Sequence, residues 1–145
     1  MPYRWIEDIT RADAAFEATG ADLPEVFRAA WNATLEVMLP GGPPHGGAPP
    51  RRHTLRARDA ETLLHTLLEW VVYVKDAEGA LAAPAELSVR EVGVGEGLEL
   101  AVTALHVPVE SVQGCLGTDV KAVTMHRFGL VRSEAGWKAT VVLDV

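Results

Sequence analysis

The clearest hydrophobic pattern along the chain is helical, and it occurs first after residue 22. Asp22 is a candidate N-cap, Pro24 falls in the opening turn, and Glu25 stands three residues after the cap. The residues that then follow helical spacing are Val26, Phe27, Ala30, Thr34, Val37 and Met38. Pro40 and Gly41 end the pattern, so the sequence predicts a helix between Asp22 and Pro40.

A second helical pattern begins at Asp59, another candidate N-cap. Its apolar stripe consists of Leu63, Leu64, Leu67, Val71 and Val74. Gly79 stands just beyond the pattern, where a left-handed C-cap residue is usual. The sequence therefore predicts a second helix that ends at Gly79.

Most of the remaining chain alternates between apolar and polar residues, which is typical of strands. The predicted strands cover 14–20, 51–57, 87–92, 98–105, 120–132 and 137–145. The glycine-rich segment 93–97 reads as a turn, and Ser133 to Gly136 join the last two strands as a hairpin. Two helices among hairpin-linked strands predict an α+β fold, with a mostly antiparallel sheet and both helices packed on one face.

One segment fits neither pattern. Residues 41–50 read GGPPHGGAPP, and proline removes backbone donors while glycine adds backbone freedom. The part of the chain before this segment is too short to fold alone. We therefore interpret 41–50 as an exposed loop within a single domain that spans residues 1–145.

Composition narrows the class of protein. The chain has 145 residues, of which 48% are hydrophobic and 23% are charged, as in an average globular domain. Its 13 Lys and Arg against 20 Asp and Glu give a net charge of −7, which argues against nucleic-acid binding by overall charge and leaves a local basic patch open. A single cysteine, Cys115, excludes an internal disulfide.

We expect a cytoplasmic protein that does not cross a membrane. The most apolar stretch, residues 63–74, contains His65 and Glu69 and is far shorter than the roughly 20 apolar residues of a spanning helix. The first ten residues carry charges where a signal peptide would be apolar.

Motifs of common enzyme classes are missing from the sequence. The glycines at 93–97 lack the following Lys-Ser/Thr pair of a phosphate loop, and there is no GxSxG segment. The five histidines are scattered without metal-ligand spacing. The residues by themselves therefore give no support for an enzyme, and we expect each histidine, taken singly, to be structural or solvent-exposed.

Basic residues are concentrated in one predicted strand. Four of the 13 lie there or at its end: Arg51, Arg52, Arg56 and Arg58. Alternation places Arg52 and Arg56 on the same face, which could meet RNA phosphate or an acidic partner. The alternative is a solvated strand face that neighbouring Asp and Glu residues neutralise.

The end of the sequence brings two anionic groups together, the side chain of Asp144 and the α-carboxylate of Val145. Adjacent carboxylates repel each other, and a hard cation would relieve that repulsion. The alternative explanation is a solvated terminus.

Three segments resemble the archease family. LGTDVKAVTMHRFGLVRSEAGWKATVVLDV, residues 116–145, is similar to the long C-terminal signature of that family. ETLLHTLLEWVVYVKDAEG, residues 61–79, resembles its leucine-rich helix, and Ala12-Asp13 followed by Gly20 is similar to its Thr-Ala-Asp motif. The chain departs from the family at two places, with Thr10-Arg11-Ala12-Asp13 for His-Thr-Ala-Asp and Thr118-Asp119 for Thr-Glu.

The resemblance implies an accessory factor of the RtcB-type RNA-splicing ligase, which contacts RNA only indirectly. Such a factor promotes guanylylation of the ligase and its multiple turnover in tRNA splicing or RNA repair, and is not a ligase itself. The family's metal site carries over as Asp13, Asp144 and Val145, with Ca²⁺ as the first expectation and Mg²⁺ or Mn²⁺ as alternatives. Oxygen-only ligands agree with hard cations, although Arg11 could pair with Asp13 and compete with the metal.

Two other functions remain open. One is a chaperone-like modulator of another RNA-processing enzyme, such as a tRNA methyltransferase, with the arginine strand as its contact surface. We expect partner contacts at Arg52, Arg56 and Lys121. The other is a small metal-dependent hydrolase, which is disfavoured because no general base or nucleophile accompanies the carboxylates.

Overall fold

The computed structural model describes residues 2–6, 13–42 and 49–145. The strands are β1 (Tyr3–Ile6), β2 (Asp13–Gly20), β3 (Pro50–Ala57), β4 (Ala80–Glu91), β5 (Leu98–Pro108), β6 (Ala122–Val123), β7 (Gly129–Ser133) and β8 (Gly136–Asp144). The helices are α1 (Leu23–Met38), α2 (Ala60–Glu78) and a short 3₁₀ helix (Val109–Cys115).

Both predicted α-helices are confirmed together with their capping residues. The Asp22 side chain accepts a hydrogen bond from the Glu25 amide at the start of α1, at 2.9 Å. At the start of α2, Asp59 accepts from the Thr62 amide at 2.7 Å. Gly79 ends α2 with φ 65°, the left-handed conformation that only glycine adopts without strain.

The strands form two separate antiparallel sheets. In the five-stranded sheet the order is β1-β2-β8-β6, and β7 also pairs with β8. The three-stranded sheet has the order β3-β5-β4. The α+β fold class is confirmed. The division of the strands into two sheets was not predicted, because alternation identifies strands without specifying which of them pair.

The helices join the two sheets into one hydrophobic core. α1 packs against β2 and β8 of one sheet and β4 of the other, while α2 packs against the three-stranded sheet and β6. Side chains from both helices and both sheets are fully buried, among them Phe16, Trp31, Leu67, Leu100 and Leu143. Each sheet consequently has an inner face on the helices and an outer face directed away from them.

The predicted strand over 120–132 is wrong as a single element. Its ends form β6 and β7, and both of these pair with β8 at different points along its length. Between them the chain turns, with Arg127 at φ 59°. Apolar and β-branched residues on both sides of the turn conceal it in the sequence, since Arg127 carries no turn propensity.

One strand is longer than predicted, and two elements were not predicted. β4 begins at Ala80, seven residues before the predicted strand at 87, and its register shifts between Pro84 and Glu86. Alanine and proline have poor strand propensity, so pairing with β5 fixes this half of the strand. β1 and the 3₁₀ helix were not predicted at all.

The structure describes only the two ends of the predicted loop at 41–50. Gly41 and Gly42 have positive φ angles of 88° and 77° and lead out of α1, as expected for glycine after a helix. Residues 43–48 lie outside the described residues. Pro50 is already part of β3, one residue earlier than the predicted strand.

The length and apolar character of the helices decide whether one of them could cross a membrane. Among the described residues, no helix combines the length with the apolar character that a bilayer span requires.

The Asp59 cap gives a first prediction. The amide of Thr62 holds the pKa of Asp59 below its ordinary value, so the capping energy is present at neutral pH and is lost as the pH falls through the folded pKa. Asp59→Ala should lower the free energy of unfolding by about 1 kcal/mol at pH 7 and by less below about pH 4.

Chemical denaturation at several pH values measures this difference. Asp59→Asn is the matched control, because asparagine caps nearly as well and cannot be protonated in this range. An equal loss in both variants, independent of pH, would contradict the assigned cap.

Candidate functional site

The central feature of the candidate site is the pairing of β2 with β8. The two strands run antiparallel with Asp13 directly opposite Asp144. Directly opposed residues have Cβ atoms about 4.5–5.5 Å apart and project to the same face of the sheet. The structure thus brings together two of the three predicted metal ligands, although 130 residues separate them in sequence.

The acidic pair lies on the outer face of the five-stranded sheet, beside buried apolar residues. The next pair on this face, Ala15 and Val142, is 2% and 1% exposed. Both aspartates are half-buried. Apolar neighbours reduce solvent screening, so a charge placed between the two carboxylates would interact with them more strongly than in water.

Glu17 is the other acidic residue of β2 on this face, and it has cationic partners. It pairs with Arg4 at 2.5 Å and with Lys138 at 3.5 Å. Burial raises the pKa of Glu17, but these two cations outweigh burial and hold that pKa below its ordinary value. Within the described residues, by contrast, no cationic side chain lies within 4 Å of the Asp144 carboxylate.

The third predicted ligand, Val145, follows Asp144 at the end of β8 and is half-buried. On the other side of Asp144 lies β6, whose Ala122 is its register partner. The Lys121 amide donates to the Asp144 carbonyl at 2.8 Å. Lys121, one of the predicted partner contacts, is therefore next to the acidic pair.

The signature segment that leads into β6 is fixed to both helices. The amides of Gly117 and Thr118 each donate at 2.9 Å to carbonyls of α1, those of Met38 and Val37. The Asp119 carboxylate pairs with Lys75 of α2. The replacement of Glu by Asp119 in the family motif consequently still permits an ion pair.

Lys75 is largely buried, with 11% of its side chain exposed. Burial acts to lower the pKa of Lys75, but Asp119 and Asp76 outweigh this effect and raise it above its ordinary value. The ammonium is therefore charged throughout the physiological range, and it holds the segment before β6 in place.

His65 of α2 holds β6 from the inner side. Its Nδ1 lies 2.9 Å from the Glu69 carboxylate and its Nε2 lies 2.9 Å from the carbonyl oxygen of Val123. Both partners are acceptors, so the two bonds coexist only when both ring nitrogens carry hydrogen. This role of His65 was not predicted, because it depends on the docking of α2 against β6.

The oxygen atoms present fit a hard cation but do not by themselves complete a site. Carboxylate oxygens are ligands that Ca²⁺ and Mg²⁺ prefer. In the part of the chain that the structure describes, no three His, Cys, Asp or Glu side chains are grouped so that they could hold a metal ion. Thr10, Arg11 and Ala12, and with them the predicted competition from Arg11, lie outside the described residues.

The remaining partner-contact residues, Arg52 and Arg56, lie on the other sheet. They project from β3 to the outer face of the three-stranded sheet, and both are exposed. Arg56 pairs with Glu99 of β5 at 2.8 Å, and Arg90 of β4 pairs with the same carboxylate at 2.9 Å. The three predicted contacts therefore belong to two different surfaces.

Arg90 and Glu99 were not identified from the sequence. They face Arg56 because Arg56, Glu99 and Arg90 are register partners across three strands. The pair of arginines lowers the pKa of Glu99, the hydrogen bond from Arg56 being the largest cause. Glu99 is therefore ionised at neutral pH and fixes both guanidinium groups.

Glu99 supplies a second prediction. Glu99→Gln removes the charge that holds Arg56 and Arg90, so it should lower the melting temperature at pH 7. Because the folded pKa is depressed, this contribution is present at neutral pH and is lost as the pH falls through that pKa, and the variant should approach wild type in acid.

Thermal unfolding between neutral and acidic pH measures the effect. Glu86→Gln is the control, since Glu86 is an exposed glutamate of β4 on the same sheet. A similar change in both variants would show that Glu99 acts only through net charge.

The chain is similar to known proteins of one family over nearly its whole length. The sequence profile of the archease protein family matches residues 3–145. The chain is 34% identical over 139 residues to the archease of Methanothermobacter thermautotrophicus, with 95% of each chain covered. It is 28% identical over 150 residues to the archease of Archaeoglobus fulgidus, with 100% of each covered.

Solved structures show the same fold. The solution structure of protein 1598 of Methanobacterium thermoautotrophicum superposes with a TM-score of 0.82 at 30% identity, covering 99% of both chains. The crystal structure of an archease from Thermotoga maritima, described as a possible chaperone, gives a TM-score of 0.60 at 21% identity over 97% of both chains. At that identity the second match supports the fold alone.

Proposed function

Because the chain belongs to the archease family, we propose that it is a non-catalytic cytoplasmic activator of an RtcB-type RNA-splicing ligase. It would promote guanylylation of the ligase and multiple turnover in tRNA splicing or RNA repair, through a divalent cation bound at its acidic pair. The observation that supports this proposal most directly is the register of β2 and β8, which sets Asp13 opposite Asp144.

The proposed ligands are the side chains of Asp13 and Asp144 and the carboxylate of Val145. All are hard oxygen donors, which favours Ca²⁺ first and Mg²⁺ or Mn²⁺ as alternatives. When bound beside a ligase, the cation would supply charge neutralisation for nucleotidyl transfer, a reaction in which positioning and charge dominate.

The residues around the pair would keep these oxygens in place while the partner docks. The Lys121 amide holds the Asp144 carbonyl, and Lys75 with Asp119 holds the segment before it. His65 fixes β6 from the inner side through the Val123 carbonyl. The exposed Lys121 side chain would be available to the partner, and a net charge of −7 suits docking onto a basic, RNA-binding enzyme.

A chaperone-like role is the second candidate, because the family whose profile matches the chain includes the Thermotoga maritima archease, which is described as a possible chaperone. Here the partner would be another RNA-processing enzyme, such as a tRNA methyltransferase. Affinity purification separates the candidates, because recovery of a methyltransferase without a ligase would favour this one.

Metal binding is the third prediction. Ca²⁺ at 100 times its dissociation constant should stabilise the fold by roughly 2.7 kcal/mol, which a thermal or chemical denaturation series detects. Asp144→Asn should abolish most of this stabilisation, because it removes the negative charge of one proposed ligand.

Glu134→Gln is the control for the loss of one negative charge, since Glu134 lies in the exposed turn between β7 and β8. It should retain the full response to Ca²⁺. Absence of any response of the wild-type chain to Ca²⁺, Mg²⁺ and Mn²⁺ would contradict the metal site.

Ligase activation is the fourth prediction. Mixing the chain with its cognate ligase and labelled GTP should accelerate transfer of GMP to the ligase. The double variant Asp13→Asn with Asp144→Asn should lose this acceleration, while Glu134→Gln should keep it. Full acceleration by the double variant would exclude the acidic pair from the mechanism, and no acceleration by wild type would exclude ligase activation itself.

A further inference from the structure

We propose that the outer face of the three-stranded sheet is a binding surface for the phosphodiester backbone of nucleic acid. The surface consists of Arg52 and Arg56 on β3, Arg90 on β4, and the residues between them, which include one exposed glutamate, Glu86 of β4. We call it the arginine face.

The arginine face presents cations outward and keeps its central anion beneath them. Arg56 and Arg90 expose 62% and 61% of their side chains, whereas Glu99 between them exposes 13%. One Glu99 oxygen contacts Nε and Nη2 of Arg56, each at 2.8 Å, and the other contacts the same two atoms of Arg90 at 2.9 Å. The carboxylate thereby orients two guanidinium groups without covering them.

Each held guanidinium keeps donors for a ligand. Arginine has five N–H donors, and Glu99 uses two of them on each side. The remaining donors form a planar, charged array of the kind that binds phosphate oxygens in pairs. Because Glu99 fixes the side chains beforehand, less conformational entropy is lost when a phosphate binds.

Arg52 extends the face along the strand direction. It stands four residues before Arg56, so alternation places both on the same side, about 13 Å apart along β3. A cavity of about 270 Å³ lies beside Arg52, and its lining includes the small polar residues Thr54, Ser88 and Thr103 as well as the exposed glutamate Glu86 of β4.

The chemistry of the face favours nucleic acid over a protein partner. Protein interfaces depend on buried aromatic or large aliphatic anchors. Among the described residues, none of the large hydrophobic side chains that are strongly exposed belongs to β3, β4 or β5. Phosphate contacts need no such anchor, since they are electrostatic.

Because none of the strongly exposed large hydrophobic side chains among the described residues lies on β3, β4 or β5, we also expect RNA binding to be weak and independent of the RNA sequence. Without an exposed aromatic side chain, the face has no platform on which a base could stack. The net charge of −7 repels nucleic acid elsewhere on the molecule, so contact should be confined to these arginines. RNA binding is measured on the chain alone. An absence of RNA binding would therefore leave the proposed ligase activation intact, and a failure of ligase activation would leave the proposed RNA binding intact.

The fifth prediction concerns salt. With three phosphate contacts, the affinity for labelled single-stranded RNA should fall about 20-fold between roughly 50 and 200 mM salt, and that for an RNA duplex about 40-fold if the slope of duplex DNA applies. Fluorescence anisotropy with RNAs of two unrelated sequences measures the slope, and both sequences should bind equally.

The variant that tests the face carries Arg52→Gln, Arg56→Gln and Arg90→Gln, and it should reduce RNA affinity at least tenfold. The control carries Arg4→Gln, Arg127→Gln and Arg132→Gln, which changes the net charge equally but lies on or beside the other sheet. Melting curves of both variants establish that they fold.

Three results would overturn the proposal: no RNA binding by wild type at low salt, an equal loss in both triple variants, or tight binding of polyglutamate without binding of RNA. The last result would assign the arginine face to an acidic protein.

Discussion

The antiparallel pairing of β2 with β8 is the constraint on which the rest of the candidate site depends. Register in a sheet is discrete, and a shift by one residue would move the side chain of Asp13 to the opposite face. The observed register is maintained by the inner faces of both strands, where Phe16, Val141 and Leu143 are fully buried against the helices. The position of the acidic pair on the outer face is thus a consequence of hydrophobic packing on the inner one.

Several contacts from the helices extend this constraint to the other side of Asp144. The segment before β6 is fixed to α1 by backbone hydrogen bonds and to α2 through Lys75 and Asp119. His65 holds the strand itself. Because this surface is already ordered, it loses little conformational entropy when a partner binds. In the proposed function, the helices therefore serve the site by keeping its backbone rigid, and contribute no ligand to it.

The acidic pair and the arginine face lie on the outer faces of different sheets. The acidic pair lies on one, and on the other the exposed Arg56 and Arg90 flank a largely covered Glu99, with Arg52 farther along β3. Such a separation would allow one small domain to engage a cation and a basic enzyme at one surface and RNA at another. It also reconciles a net charge of −7 with a local basic patch, since net charge describes the whole molecule while binding depends on the nearest charges.

Local sequence patterns were sufficient to predict the helices, most strands and the α+β class, because caps, periodicity and turn glycines act over a few residues. The capping aspartates and Gly79 are examples, and family resemblance added Asp13 to the carboxylates of Asp144 and Val145. Three features became visible only in the folded chain: the strands form two sheets, the predicted strand 120–132 breaks at Arg127, and Arg90 and Glu99 lie beside Arg56. Those features depend on pairing between distant segments, which buried contacts across the whole core select and no local pattern specifies.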